Sequence, residues 1–230
     1  MNQAEQAFWY LENLDVQGIF CSRKFGENEH LQLHCSFKKG EYIYMPQDHA
    51  DKIFLITSGR VKIGSYSEDP KREITKAILT DGEVFGELAL MGDGKRRDFA
   101  VAMEPTEVCI ISTNEMNGLM KEHSTFGLYF MRLLGNRALL MESRLESMVF
   151  KDSSTRIKEF LVELVDKKGQ RVGYEWVVRK FITHQEIANL TATSRQTVTT
   201  VLNELRNERV LTFDRRRLLV RDLDQLKKMI

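Results

Sequence analysis

The stretch 183–205 constrains this chain more than any other, because it dictates two helices and the tight turn between them. Thr183 with Glu186 three residues on is a capping box, and Ile187, Ala188 and Leu190 mark one apolar side of the helix it starts. Thr191-Ala192-Thr193 closes that helix, and Ser194 supplies a second hydroxyl start. Val198, Val201, Leu202 and Leu205 then recur at three- and four-residue spacing, so the second helix has a dry face and a wet one. The wet face at its N-terminal end carries Arg195, Gln196, Thr199 and Thr200, side chains that can bond base edges or phosphates in a major groove. An ordinary helical hairpin with a solvated polar face would show the same spacing.

The residues that follow favour a helix-turn-helix over a plain hairpin. Val210-Leu211-Thr212-Phe213, the turn Asp214-Arg215-Arg216-Arg217 and Leu218-Leu219-Val220-Arg221 predict a two-stranded wing with a basic tip, and Arg216 at that tip is a candidate phosphate contact. Net charge over the 230 residues is only +1, but it is unevenly spread. Residues 152–230 hold 16 Lys+Arg against 11 Asp+Glu (+5), and residues 1–151 hold 18 against 22 (−4), so the basic part is the part with the wing.

Upstream, Phe8-Trp9-Tyr10-Leu11 and Ile19-Phe20 predict a short helical lead-in. From Phe37 the pattern changes to short runs of β-branched and aromatic residues: 42–44, 53–56, 61–63, 74–79, 99–102 and 108–111. Glycine turns at Lys39-Gly40, Ser58-Gly59, Asp81-Gly82 and Gly92-Asp93-Gly94 separate them, which predicts an all-β barrel or roll. Asn114 starts a short helix and Ser124 a long one reaching about Phe150. On the long helix Phe130, Leu134, Ala138, Met141, Leu145 and Met148 form an apolar seam, opposite Arg132, Arg137, Glu142 and Arg144. Such a seam serves either to pack the helix on its own domain or to pair two chains, and the charged opposite face favours a two-chain coiled coil and hence a homodimer. Lys151-Asp152-Ser153-Ser154 is a polar joint with Asp152 as N-cap, and Gly169 ends the helix that follows. The expected fold is therefore α+β, in three parts. They are a sensor β-roll with flanking helices over 1–123, a dimerisation helix and hinge over 124–151, and a winged helix over 152–230.

That order, with Gly82-Glu83-Val84-Phe85-Gly86-Glu87-Leu88-Ala89-Leu90 and Arg97 in the β-domain, resembles the cyclic-AMP receptor protein / Fnr (Crp/Fnr) family of bacterial transcription regulators. The resemblance covers nearly the whole chain. It implies a cyclic-nucleotide-binding-like β-roll, a homodimer on double-stranded palindromic DNA with half-sites ~34 Å apart, and a contact with RNA polymerase. Arg195 matches the family arginine that reads a guanine, as bidentate arginine chemistry predicts. Ser194, Thr197, His184 and Gln185, with Thr183 beside them, match phosphate-holding positions. Gln196 stands where the receptor protein has Glu, and Thr200 where it has a second base-reading Arg, so the operator should differ.

The effector pocket implied by the resemblance comprises Gly86, Glu87 and Leu88 of the cassette, with Glu87 for a ribose hydroxyl and Arg97 for a cyclic phosphate. Asp98, with Phe99 next, replaces the small residue that follows the family arginine, and Met141 and Glu142 replace its base-contacting hydroxyl pair. A carboxylate ~4 Å from a phosphate costs on the order of 4 kcal/mol at an effective dielectric of 20. This argues against simple cyclic-AMP binding and leaves the pocket for another cyclic nucleotide, another small anionic effector, or none. Glu87 also reads as a structural carboxylate and Arg97 as a solvated or Asp98-paired charge.

Other chemistry is sparse. Cys21, His30, His34 and Cys35 could be grouped as metal ligands, but an iron–sulfur cluster needs four thiolates and two are at hand, so no metal is expected. The three cysteines lack regular spacing, which predicts free thiols, with Cys109 buried in a strand. No nucleotide triphosphate loop or nucleophile–base pair is present, so an enzyme is not expected. No apolar run approaches ~20 residues and no signal peptide is visible, which predicts a cytoplasmic protein without a membrane segment. Two other readings remain: a ligand-binding protein whose helical domain docks a protein partner, and a constitutive regulator with a vestigial pocket.

Overall fold

The computed structural model describes residues 33–67, 73–92, 94–122 and 124–230; the aromatic lead-in, Cys21 and His30 lie outside them. The chain divides into two compact units, 1–138 and 139–230.

Among the described residues of the first unit, eight strands form two antiparallel four-stranded sheets. One, ordered β1-β8-β3-β6, contains β1 (Leu33–Phe37), β3 (Lys52–Ser58), β6 (Val84–Phe85) and β8 (Thr106–Ser112). The other, ordered β2-β7-β4-β5, contains β2 (Tyr42–Tyr44), β4 (Arg60–Tyr66), β5 (Glu73–Thr80) and β7 (Phe99–Ala102). The unbroken apolar runs 53–56 and 108–111 follow from burial on both faces of the first sheet. Ile53, Leu55, Cys109 and Ile111 pack under helix α1 (Thr113–Glu122) and the start of α2 (Ser124–Phe150). Phe54, Ile56, Val108 and Ile110 face the second sheet through Tyr44, Val61, Ile63, Leu79 and Ala100.

Phe130 belongs to this core. It is 4% exposed and packs with Phe126 and Tyr129, which removes it from the expected dimer seam: the first turns of α2 are the lid of their own β-roll. Cys35 is a free thiol. Cys109 is fully buried and disulfide-bonded, which corrects the free-thiol expectation there.

The second unit holds the rest of α2 and, after Asp152, α3 (Ser153–Lys168). Asp152 accepts from the Thr155 backbone N–H at 2.7 Å. Gly169 does end α3, but with extended backbone; a Cβ there would meet the Val165 carbonyl oxygen at 2.4 Å, so closeness and not a left-handed φ requires glycine. A sheet ordered β11-β12-β10-β9 follows, made of β9 (Gln170–Val172), β10 (Glu175–Arg179), β11 (Leu211–Phe213) and β12 (Arg217–Val220). Between its halves lie α4 (His184–Thr191) and α5 (Arg195–Asn207), and α6 (Leu223–Lys228) closes the unit. Ile157, Leu161, Ile187, Val198, Leu202, Leu205 and Val220 meet in one fully buried core. The hairpin β9–β10 and helix α6 were not legible in advance: Gln170-Arg171-Val172 is exposed throughout and has no alternation, and α6 spans only six residues.

Candidate nucleic-acid interface and effector cassette

Both helix starts in the 183–205 stretch form as their sequence dictates. The Thr183 backbone N–H donates to Glu186 at 2.7 Å and the Glu186 N–H donates to Thr183 Oγ1 at 3.2 Å, the reciprocal bonds of a capping box. Ser194 Oγ accepts from the Thr197 N–H at 3.0 Å and lies 2.8 Å from the Thr197 hydroxyl. Gln185 donates to Asn189 one turn on, at 2.8 Å. Ala192 ends α4 with φ +50°, a left-handed conformation that costs an alanine on the order of 1 kcal/mol. Arg156 holds it there, donating to the carbonyls of Thr191 and Ala192 at 3.0 and 3.2 Å and to that of Lys151 at 2.8 Å.

The dry face of α5 is buried through Val198, Val201, Leu202 and Leu205, while Arg195, Gln196 and Thr200 stand exposed at its N-terminal end. Thr199 is half-buried: its hydroxyl donates to the Arg195 carbonyl and lies 2.9 Å from His184 Nδ1. Burial and the nearby Arg195 charge lower the His184 pKa from its ordinary 6.5. At the wing, Asp214 accepts from the backbone N–H groups of Arg216 and Arg217 at 2.7 and 2.9 Å and pairs with the Arg217 guanidinium. Arg216 is exposed on that turn, whereas Arg217, expected in the turn, opens β12. The arrangement presents helix N-termini, hydroxyls and guanidinium groups on one domain, the set of donors that phosphate backbones and base edges accept from.

The cassette of the first unit is built differently. Gly86 has φ +76°, and a Cβ on it would come within 3.0 Å of both Arg96 Nη1 and Phe54, so only glycine fits. It starts a short 3-10 turn, Glu87–Met91, in which Glu87 is buried and Leu88 is exposed. Glu87 is ion-paired with Arg137 from α2, and Arg137 also donates to the Val84 carbonyl at 2.6 Å. Arg137 therefore turns towards the cassette, a correction to its expected place on the solvated face.

Arg96, and not Arg97, is the buried arginine. Its guanidinium donates to the carbonyls of Gly86 and Lys52 and lies 4.4 Å from the centre of the Tyr44 ring. Burial lowers its pKa from the usual arginine value. Arg97 is exposed. Asp98 is buried and pairs with Lys76 at 3.1 Å, so the repulsion expected from it is offset by a cation on β5. Burial first, and the Asp98 charge second, push the Tyr44 hydroxyl far above its ordinary pKa. Arg96 and Asp98 are buried and Arg97 between them is exposed, in a bend before β7 where no sequence periodicity tells the two arginines apart. Met141 and Glu142 are exposed and belong to the second unit. Among the described residues no group of three or more His, Cys, Asp or Glu side chains is arranged to hold a metal ion, and no helix is long and apolar enough to cross a membrane.

A β-roll with a buried glutamate cassette, followed by a long helix and a winged helix-turn-helix, defines a DNA-binding transcription regulator. Residues 34–123 match the cyclic nucleotide-binding domain and residues 155–229 match the Crp-like helix-turn-helix domain. The chain belongs to the Crp/Fnr family. It is similar to the global nitrogen regulator of a Nostoc strain, 28% identical over 187 residues, which cover 80% of this chain and 83% of that protein. It is also similar to a CRP-like cAMP-activated global transcriptional regulator of Mycobacterium tuberculosis, 24% identical over 84% and 85% of the two chains. Among solved structures, a CooA mutant from Carboxydothermus hydrogenoformans has TM-score 0.79 and 27% identity, covering 94% of this chain and 96% of that one. The first two of these relatives are regulators.

Proposed function

We propose that the chain acts as a homodimer that reads a two-fold-related DNA site with α5, under control of a signal at the β-roll other than plain cyclic AMP. The observation that carries the DNA reading is the exposure of Arg195, Gln196 and Thr200 at the N-terminal end of a helix whose opposite face is wholly buried. Thr183, Gln185, Ser194, Thr197 and Arg216 of the same domain add donors of the kind that hold phosphates, and His184 stands among them as the first residue of α4. Binding to duplex DNA falls steeply with added salt, because counterions are released for each phosphate met. A protein-docking domain would show a shallow salt dependence and no base preference.

Dimerisation rests on Leu134, Ala138, Met141, Leu145 and Met148, which recur at alternating four- and three-residue steps, the spacing of a coiled-coil seam. Met141, Leu145 and Met148 are 59%, 64% and 46% exposed in the single chain, more apolar surface than a solitary helix leaves in water. Leu145→Glu should convert a sedimenting dimer to monomer.

An effector at the cassette has to displace an internal partner, since Glu87 is paired with Arg137 and Asp98 with Lys76. The same pairing favours a second reading, a constitutive regulator whose cassette has become structural. DNA binding by ligand-stripped protein that no small anion alters would select it.

A further inference from the structure

Thr199 lies one turn above Arg195, where spacing alone places it among the base-reading side chains. The structure uses its hydroxyl twice. Oγ1 donates to the Arg195 carbonyl at 2.9 Å, the back-bond of a helical threonine, and lies 2.9 Å from Nδ1 of His184, the first residue of α4. A hydroxyl has one proton, and a carbonyl only accepts. The proton therefore goes to Arg195, and the second contact is His184 Nδ1–H donating to Thr199 Oγ1. The imidazole is held on another side by an edge-to-face contact with Phe213, ring centres 5.4 Å apart. Arg206 of α5 lies over that same Phe213 ring at 5.3 Å. The first residue of α4, the first turns of α5 and strand β11 are thus joined through one imidazole.

Resting on the reading of α5 as the recognition helix, we infer that His184 and Thr199 are positioning residues. Together they fix the start of α4 to the turn of α5 that carries Arg195, and they leave base discrimination to Arg195, Gln196 and Thr200. Both lone-proton donors of the pair are already spent inside the protein: the Thr199 hydroxyl on a carbonyl and the His184 Nδ1–H on that hydroxyl. The exposed neighbours remain available to a base edge. The bond also fixes the tautomer, with the proton of the neutral ring on Nδ1 and the lone pair on Nε2.

The test uses the full-length protein and two measurements. Nitrogen NMR of the neutral His184 ring should show Nδ1 protonated in the wild type, lost in the isosteric Thr199→Val and restored in Thr199→Ser. Selection from random duplexes should show Thr199→Val binding every preferred sequence about fivefold more weakly, the size of one ordinary hydrogen bond. Its base preferences should be unchanged, and Thr199→Ser should recover the affinity. A changed preference at one base pair in Thr199→Val would make Thr199 a reader and overturn the inference, as would an unprotonated Nδ1 in the wild type. Arg195→Ala is the control for the parent reading: if it alters no base preference, α5 is not the reading helix, and the NMR result still decides the clamp.

Discussion

The helix-turn-helix and the cassette both carry arginines beside carboxylates and hydroxyls, but they use their charges in opposite ways. At α5 and the wing the cations that define the site stand in water, and the apolar half of each element does the packing. In the cassette the charges are inside, and each meets a partner from elsewhere in the unit: Glu87 meets Arg137, Asp98 meets Lys76, and Arg96 meets two carbonyls. An exposed cation costs nothing to keep and is available to a phosphate. A buried one is held by its partners, so a ligand gains only the difference between its own contacts and those it displaces.

The largest effect expected from this difference is at Arg137. Arg137→Ala leaves the Glu87 carboxylate buried without its cation, which should cost roughly 3–5 kcal/mol in urea unfolding of the first unit at neutral pH. Base preference on DNA should not change; unchanged stability would break the contrast, because it would mean that Glu87 and Arg137 are no more tied than the surface charges of α5.

Arg195→Ala should do the reverse. Fold stability stays within ~0.5 kcal/mol, as for exposed positions away from packing, while discrimination at one base pair falls by about 1–3 kcal/mol in competition binding. A uniform loss over all sequences would place Arg195 on a phosphate.

The smallest effect is at the joint. The Asp152 carboxyl is held below its ordinary pKa of 3.8, chiefly by the Thr155 backbone N–H. A folded pKa below the unfolded one means stability that is present above pH ~4 and lost as pH falls through the folded value. Asp152→Ala should therefore melt at a slightly lower temperature at pH 7, with the gap to wild type closing in acid.

The same contrast explains what could be read from the residues. Caps and helical periodicity are local, so Thr183, Glu186, Ser194 and the span Ser124–Phe150 were legible at single-residue level. The unbroken runs at Ile53–Ile56 and Val108–Ile111 predicted buried strands for the same reason. Partners of buried charges are not local. Arg137 meets Glu87 across 50 residues of chain, and Lys76 meets Asp98 across 22. Nothing in either segment announces the other, and the choice between Arg96 and Arg97 turns on which of two adjacent side chains the bend before β7 sends to Gly86. Thr199 is a related case: its spacing is that of a reader, and only the fold brings His184 to its hydroxyl.

Selection of random duplexes by ligand-stripped protein, repeated with cyclic AMP and cyclic GMP, tests the account most directly. Enrichment of one two-fold-related sequence is expected, with an arginine-type guanine contact in each half-site, and no change on adding cyclic AMP. Enrichment that appears only with cyclic AMP would contradict the reading of the cassette. No enrichment with or without nucleotide, together with a shallow salt dependence of binding, would contradict the reading of α5.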